Sequence, residues 1–376
     1  MSALEALRTR LDAWLAQAAY PLWARLGVDP RNGGFVEAVD QSGSPLALPR
    51  RARIHPRQVY AFAQAHALGW SGDVAGIVSR GMNYFTRVYQ RPDGLFRALA
   101  DADGAALDDR ALLYDQAFAL LGYAAAATAL DARSKYEGRA LELKRAVESR
   151  FGANLGTFYS YEQASEHRET NPHMHLLEAY LAWAEIGLAP QWADGVRNLV
   201  DVALTRFIRN DNGAVAESYL ASGPPSPGDG GHILEPGHQF EWAWLLLRCE
   251  RWHSTSLRAF ALRLISIGEQ HGVHNGVAIN AVRDDFTIAD GNARFWPQTE
   301  RLKAALLAAK LTNEPRHWSA AEAAAASFAP YLATTIPGLW FDVRLPSGKL
   351  VDAPAPASTF YHLVGAMLAL KLAPRP

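Results

Sequence analysis

Apolar residues recur three and four positions apart through most of the chain, a spacing that stacks them on one face of an α-helix. Read this way, the sequence predicts about twelve helices, near residues 3–25, 56–69, 72–90, 111–130, 132–151, 173–187, 190–207, 237–250, 254–271, 297–311, 315–333 and 358–372. Strand-like stretches are confined to short pieces, "GGFVEAVD" at 33–40, "GTFYSYE" at 156–162 and "GLWFDVRL" at 338–345. The expected class is all-α. Five stretches open on proline or place it early: "HPRQVYAF" from His55, "NPHMHLLEAY" from Asn171, "EPGHQFEWAW" from Glu235, "WPQTERLKAAL" from Trp296 and "PASTFYHLVGAML" from Pro356. Proline suits the first helical turn, where its missing N–H has no intrahelical partner to lose, so each stretch reads as a helix start.

Two kinds of helix alternate. The fifth, "ARSKYEGRALELKRAVESR", carries nine charges, whereas the fourth carries only Asp115 and the second and twelfth one apiece, Arg57 and Lys371. A helix apolar all round is buried, and one with a charged face lies outside. The even-numbered helices are therefore expected to form an inner ring and the odd-numbered ones an outer ring, with the four charges of the tenth making it the weakest fit. Polar residues opening the even helices line up as Arg57, Asp115, His175, His238, Glu300 and His362, at intervals of 58, 60, 63, 62 and 62. A nearly constant period over six helix pairs is the signature of stacked or closed helical hairpins. It predicts one domain over 1–376, an (α/α)6 barrel whose inner-helix N-termini meet at one end. Arg57, His175, His238 and His362 would then share a pocket.

Composition narrows the partners. Thirty-seven basic residues against 38 acidic ones give a net charge of −1, without the basic footprint that nucleic acid or an anionic membrane surface requires. Cys249 is the only cysteine and sits beside Leu245 to Leu247, which excludes an intrachain disulfide and suggests a buried thiol in a reducing compartment. The amphipathic start, carrying Glu5, Arg8, Arg10 and Asp12, is unlike a secretory signal, so a cytoplasmic location is expected. The expected partner is a small molecule, in a chain compatible with a monomer or a homodimer.

Three imidazoles beside carboxylates and a guanidinium point to proton transfer, because histidine both takes and gives a proton near neutral pH. No H-x-x-x-H or cysteine pairing suggests a metal, and no G-x-S-x-G elbow or P-loop supplies acyl or phosphoryl transfer. Glu178, Glu241 and Glu300 could furnish the two carboxylates of a glycosidase. Trp242, Trp244, Trp296, Trp340, Tyr114 and Tyr361 lie near the proposed rim, where flat rings suit a sugar, although Trp244 serves equally as barrel filling. Glu241, one turn after His238, either orients an imidazole or simply complements the helix dipole. A hairpin array that binds peptides on an open surface is the non-enzymatic alternative.

Taken together, "HPRQVYAF", "NPHMHLLEAY", "EPGHQFEWAWLL", "RFWPQTER" and "PASTFYH" resemble the successive signatures of the N-acylglucosamine 2-epimerase superfamily, over about residues 20 to 370. That superfamily includes cellobiose 2-epimerases, mannose isomerases and sulfoquinovose isomerases, and "RFWPQTER" with the short length is most similar to the mannose isomerase branch. The resemblance implies an (α/α)6 barrel and cofactor-independent proton transfer at C2 of an aldose. It assigns His238 and His362 as general acid/base groups, Arg57 as the active-site arginine, and Asn171 and His175 as substrate-binding residues. Tyr114, Glu241, Trp296 and Glu300 match sugar-contacting or supporting positions, and Asp115 joins them from the helix register. Mannose to fructose through a cis-enediol, with His362 as the C2 base, is the expected reaction, and 2-epimerisation, in which the proton returns to the opposite face of C2, is the alternative that the same two histidines would serve. The loop "GPPSPGDGGH" at 223–232 precedes His238 and matches no family pattern, so it is expected to bear on the sugar's identity.

Overall fold

The computed structural model describes residues 3–373. Twelve principal helices follow the predicted order. The outer ones are α1 (Ala3–Trp14, continued by π-helical Leu15–Ala19 and by Tyr20–Leu26), α3 (Val74–Tyr89), α5 (Arg133–Phe151), α7 (Gln191–Val202), α9 (Arg258–His271) and α11 (Pro315–Ala326). The inner ones are α2 (Ile54–Ala63), α4 (Leu113–Ala129), α6 (Thr170–Ile186), α8 (Pro236–Cys249), α10 (Phe295–Thr312) and α12 (Ala357–Leu372). Each inner helix packs on the next, from α2 through α12, and α12 returns to α2. The chain is mostly helical, with each outer helix set against an inner one.

Burial follows the predicted division. In α4 every residue from Gln116 to Ala127 is buried, so its alanine-rich surface is apolar on all sides as an enclosed helix requires. Helix α5 buries only one stripe, including Tyr136, Ala140, Leu143, Val147 and Phe151 with Glu137 and Lys144 beside them, and shows its other seven charges to water. Three of the four charges of α10 that made it a weak member of the inner set are themselves buried: Glu300, Arg301 and Lys303 are 0%, 4% and 2% exposed. Cys249, at the end of α8, is a free buried thiol.

The loops are more ordered than the sequence suggested. The longest strand pair, Arg97–Ala100 with Ala106–Ala111, was not anticipated, nor were the pairings of His167–Glu169 with Ser218–Leu220 and of Ala281–Arg283 with Ile288–Asp290. They belong to a repeat that sets the inner helices in place. Gly33, Gly94, Gly156, Gly213, Gly276 and Gly338 all have positive φ, from 75° to 100°, at tight turns before the six inner helices. Two residues on, the backbone N–H of Phe35, Phe96, Phe158, Val215 and Ala278 donates to the side chain of His55, Gln116, His173, Gln239 and Gln298 respectively. The three glutamines also donate back to the carbonyl of the same residue at 2.7 to 2.8 Å. In the sixth repeat, stacking of Trp340 on Phe360, with centroids 5.8 Å apart, takes the place of this bond.

This docking fixes a register that differs from the one inferred from sequence. Two residues beyond each docking side chain come Arg57, Phe118, His175, Glu241, Glu300 and, after Phe360, His362. Phe118 and Glu241 hold the places assigned to Asp115 and His238, which lie three residues earlier on their helices. The discrepancy arises because polarity alone cannot distinguish two positions about one turn apart.

Candidate active site

A cavity of about 480 Å³ including its mouth opens at the N-terminal ends of the inner helices. It is lined by Arg57, Tyr114, Asn171, His175, His238, Glu241, Trp296 and His362 among the residues predicted, together with Glu235, Arg294, Ser358 and Thr359. Glu300 stands behind the wall, bonded to His362, and Asp115 lies outside the lining with its carboxylate 2.8 Å from Arg53. Of the six aromatics expected at the rim, Tyr114 and Trp296 reach the cavity. Trp242 packs on Phe207 and Trp340 on Trp23, both deep in the core; Tyr361 is buried beneath the site, and Trp244 faces a second cavity at the opposite ends of these helices. Gly223, Pro224 and Pro225 of the divergent loop line a separate surface cavity beside Arg206 and Arg209.

His238 and His362 pack on the same indole, their ring centroids 5.1 and 5.3 Å from that of Trp296. Their surroundings differ. His238 Nδ1 is 2.8 Å from Glu217 Oε2 and 3.8 Å from Glu235 Oε2. Burial disfavours its charged form, but these two carboxylates outweigh burial and push its pKa up to about 10. His362 Nδ1 is 2.8 Å from Glu300 Oε1. Burial, with the positive charges of Arg57 and Lys303, holds its pKa well below the ordinary histidine value. One imidazole is therefore an acid at neutral pH and the other a base.

Three carboxyl groups form the floor, each in a different condition. Glu178 Oε2 accepts from His175 Nδ1 at 3.2 Å and from the Tyr361 hydroxyl. Burial works against its ionisation, yet His175, Lys303 and Tyr361 bring its pKa down to about 2. Burial in turn lowers His175 to about 4, so a neutral imidazole donates to a carboxylate. Glu241 hydrogen-bonds to no described residue, and burial followed by the nearby Glu300 raises its pKa well above the carboxylate range. Glu300 is raised by burial and drawn back by Lys303, whose Nζ is 2.6 Å from its Oε2. Above the floor, Arg57 donates from Nη2 to the Tyr114 hydroxyl at 2.5 Å and lies over the Phe118 ring, 4.0 Å from its centroid.

The histidines in the helix-start motifs thus divide by role. His55 and His173 are buried, with pKa values lowered by burial to about 3 and about 4, and each accepts a backbone N–H of the preceding turn. They hold the helices, while His175, His238 and His362 face the cavity. Glu217 and Glu235 were not singled out from sequence. Glu235 was accessible to such a reading, since it stands one turn before His238; Glu217 reaches the site only through the strand pairing near Ser218.

Nitrogen and oxygen atoms lie within 4.8 Å of one another in three groups: His175, Glu178 and Glu241; Glu217, Glu235 and His238; Glu241, Glu300 and His362. Such sets could hold a divalent ion. In each group the histidine Nδ1 is already bonded to a carboxylate, and in the third the Lys303 ammonium brings a positive charge to Glu300.

Residues 33–366 match the family model described as N-acylglucosamine 2-epimerase (GlcNAc 2-epimerase). The chain is 43% identical over 370 residues to the "Mannose-6-phosphate isomerase" of Rhizobium meliloti (strain 1021), covering 96% of each. In fold it matches a crystal structure of D-mannose isomerase, with a TM-score of 0.84, 22% identity and coverage of 98% of this chain and 97% of that one. It also matches the cellobiose 2-epimerase of Spirochaeta thermophila DSM 6192, with a TM-score of 0.86, 21% identity and coverage of 98% and 96%. The protein is an enzyme of the isomerase type. It belongs to the N-acylglucosamine 2-epimerase family.

Proposed function

We propose that this enzyme interconverts an aldose and its ketose, with free D-mannose and D-fructose as the leading pair, in a closed (α/α)6 barrel. The opposed proton preferences of His238 and His362 on one indole carry this reading. The conversion needs an acid at the ring oxygen and a base at C2, and two like groups with pKa values driven apart supply both. His238, as imidazolium, gives its proton to the ring oxygen as the C1–O5 bond breaks and recovers one from the O1 hydroxyl, which opens the pyranose to the aldehyde. His362 takes the C2 proton at Nε2 and returns it to C1 of the cis-enediol, while His238 protonates O1 as the enediol forms and takes the O2 proton as it collapses to the ketose. Arg57, steadied by Tyr114, offsets negative charge growing on O1 and O2. Glu241 and Asn171 present polar atoms to hydroxyl groups of the sugar. Mannose is supported by the names of the relatives, and mannose 6-phosphate is the competing substrate that the name of the 43% identical relative supports.

Epimerisation at C2 is the second reading, supported by the fold shared with cellobiose 2-epimerase, and differs only in returning the proton to the opposite face. Hydrolysis is disfavoured because Glu178 and Glu300 are engaged beneath the cavity and do not flank it. Incubation with mannose in the presence of a chelator, followed by sugar analysis, is expected to yield fructose, and His362→Ala to cut the rate by about a thousandfold. Aldose interconversion without ketose would replace the proposal with epimerisation, release of a monosaccharide from a glycoside would replace it with hydrolysis, and an active His362→Ala enzyme would refute the base.

A further inference from the structure

Glu300 differs from its two buried neighbours in having an ammonium group as a partner. Glu178 accepts from His175 and Tyr361; Glu241 accepts from nothing in the described chain. Glu300 touches His362 through Oε1 and Lys303 through Oε2. Lys303 is 2% exposed, and its Nζ sits 3.8 Å from the centroid of Trp244, which completes its enclosure. It is absent from the lining of the catalytic cavity. It lines instead the second cavity, of about 1390 Å³ including its mouth, with Tyr60, Glu178, Trp244 and Arg248. The ammonium therefore reaches Glu300 from below and meets no substrate.

The geometry points to Lys303 as a positioning residue that decides which nitrogen of His362 carries the hydrogen, an assignment that rests on His362 being the base. A carboxylate only accepts, so an ionised Glu300 obliges His362 Nδ1 to donate and leaves the Nε2 lone pair facing the cavity. A protonated Glu300 would donate to Nδ1 and move the imidazole hydrogen to Nε2, where no proton could be taken. The other groups around this pair are His175 and Glu178 from α6, Glu241 from α8, Arg57 from α2 and Tyr361 beside His362. Of these, Glu178 opposes ionisation of Glu300, and Arg57 serves the cavity wall with its Nη2 on Tyr114. Lys303 alone places a positive charge in contact with Glu300 among the described residues. Methionine can replace its stem against Trp244 without the charge.

The test is 15N NMR of the full-length enzyme labelled at histidine, near pH 8, with His362 assigned by difference from His362→Gln. The wild type is expected to carry hydrogen on Nδ1 of His362 and none on Nε2. Lys303→Met should move it to Nε2 and lower kcat by about two to four orders of magnitude with KM within about threefold. Lys303→Arg should keep the wild-type tautomer and most of the activity. A wild-type His362 protonated on Nε2, or a Lys303→Met protein with the tautomer unchanged, overturns the proposal. The first outcome needs no variant to fold. Should the wild type turn over no hexose, the functional reading fails while the imidazole signals still decide the role of Lys303.

Discussion

The two imidazoles on Trp296 are covalently identical, and the charges facing them make one an acid and the other a base. Glu217 supplies the nearer carboxylate to His238, so Glu217→Gln should bring the alkaline limb of the pH–rate profile down by about one to two units, with His238 losing its proton earlier. The same pair has a stability signature. The pKa of His238 rises from an ordinary 6.5 to about 10 on folding, so its contribution is fully present below about pH 6.5 and disappears as pH climbs through about 10. Thermal scans should show the wild-type Tm falling across that window more steeply than that of Glu217→Gln. At this scale the sequence was legible where chemistry coincided with helix register, at Arg57, His175 and His362; His238 meets them at the same cavity from one turn earlier on its helix. Glu217 was hidden because strand pairing, which no local pattern revealed, carries it across from twenty-one positions upstream. Asp115 was misleading because a charge in a first turn looks the same whether it faces a cavity or an arginine such as Arg53.

The recurrent element is a turn with a left-handed glycine, two further residues, and an inner helix whose glutamine or histidine grips the backbone there. Gln298 binds both the N–H and C=O of Ala278 at 2.8 Å inside the protein. Gln298→Leu leaves both groups buried without partners and should cost about 3 kcal/mol, read as a lowered midpoint in urea unfolding. Gly276 separates conformation from crowding, since a Cβ there would meet nothing within 4 Å while φ is +81°. Gly276→Ala should therefore cost only about 1–2 kcal/mol, the strain of a left-handed alanine, and leave kcat unchanged. The helices themselves were readable to within a few residues for most of the chain, because apolar spacing at 3.6 residues is a strong local signal. The turns were not, although Gly33, Gly94, Gly156, Gly213, Gly276 and Gly338 recur at nearly the helix-pair period. A sixty-residue repeat carried by single glycines is faint beside the many other glycines of the chain.

Across the whole molecule, the seam between the first and last inner helices is held by contacts over very long stretches of sequence. Gln58 donates to the Ala357 carbonyl at 2.7 Å, and Trp23 donates to that of Gly338 at 3.1 Å. If the inner helices form a closed ring, its members are mutually dependent, in contrast to an open solenoid whose repeats make separate contributions. Deleting residues 357–376 should then abolish the single calorimetric transition; an open array would retain most of its enthalpy and melt cooperatively. Closure was anticipated from the helix period, and the packing of α12 on α2 supports it, but no spacing in the sequence specified which side chains would join the ends.

Cys249 gives this assembly a built-in gauge. Burial pushes its thiol up to about 12, so in the native state it offers a reagent neither access nor thiolate. Alkylation then proceeds through moments when the end of α8 comes loose, and its rate counts those moments. A single thiol, with no competing cysteine elsewhere in the sequence, can time the breathing of the enzyme without any label being introduced.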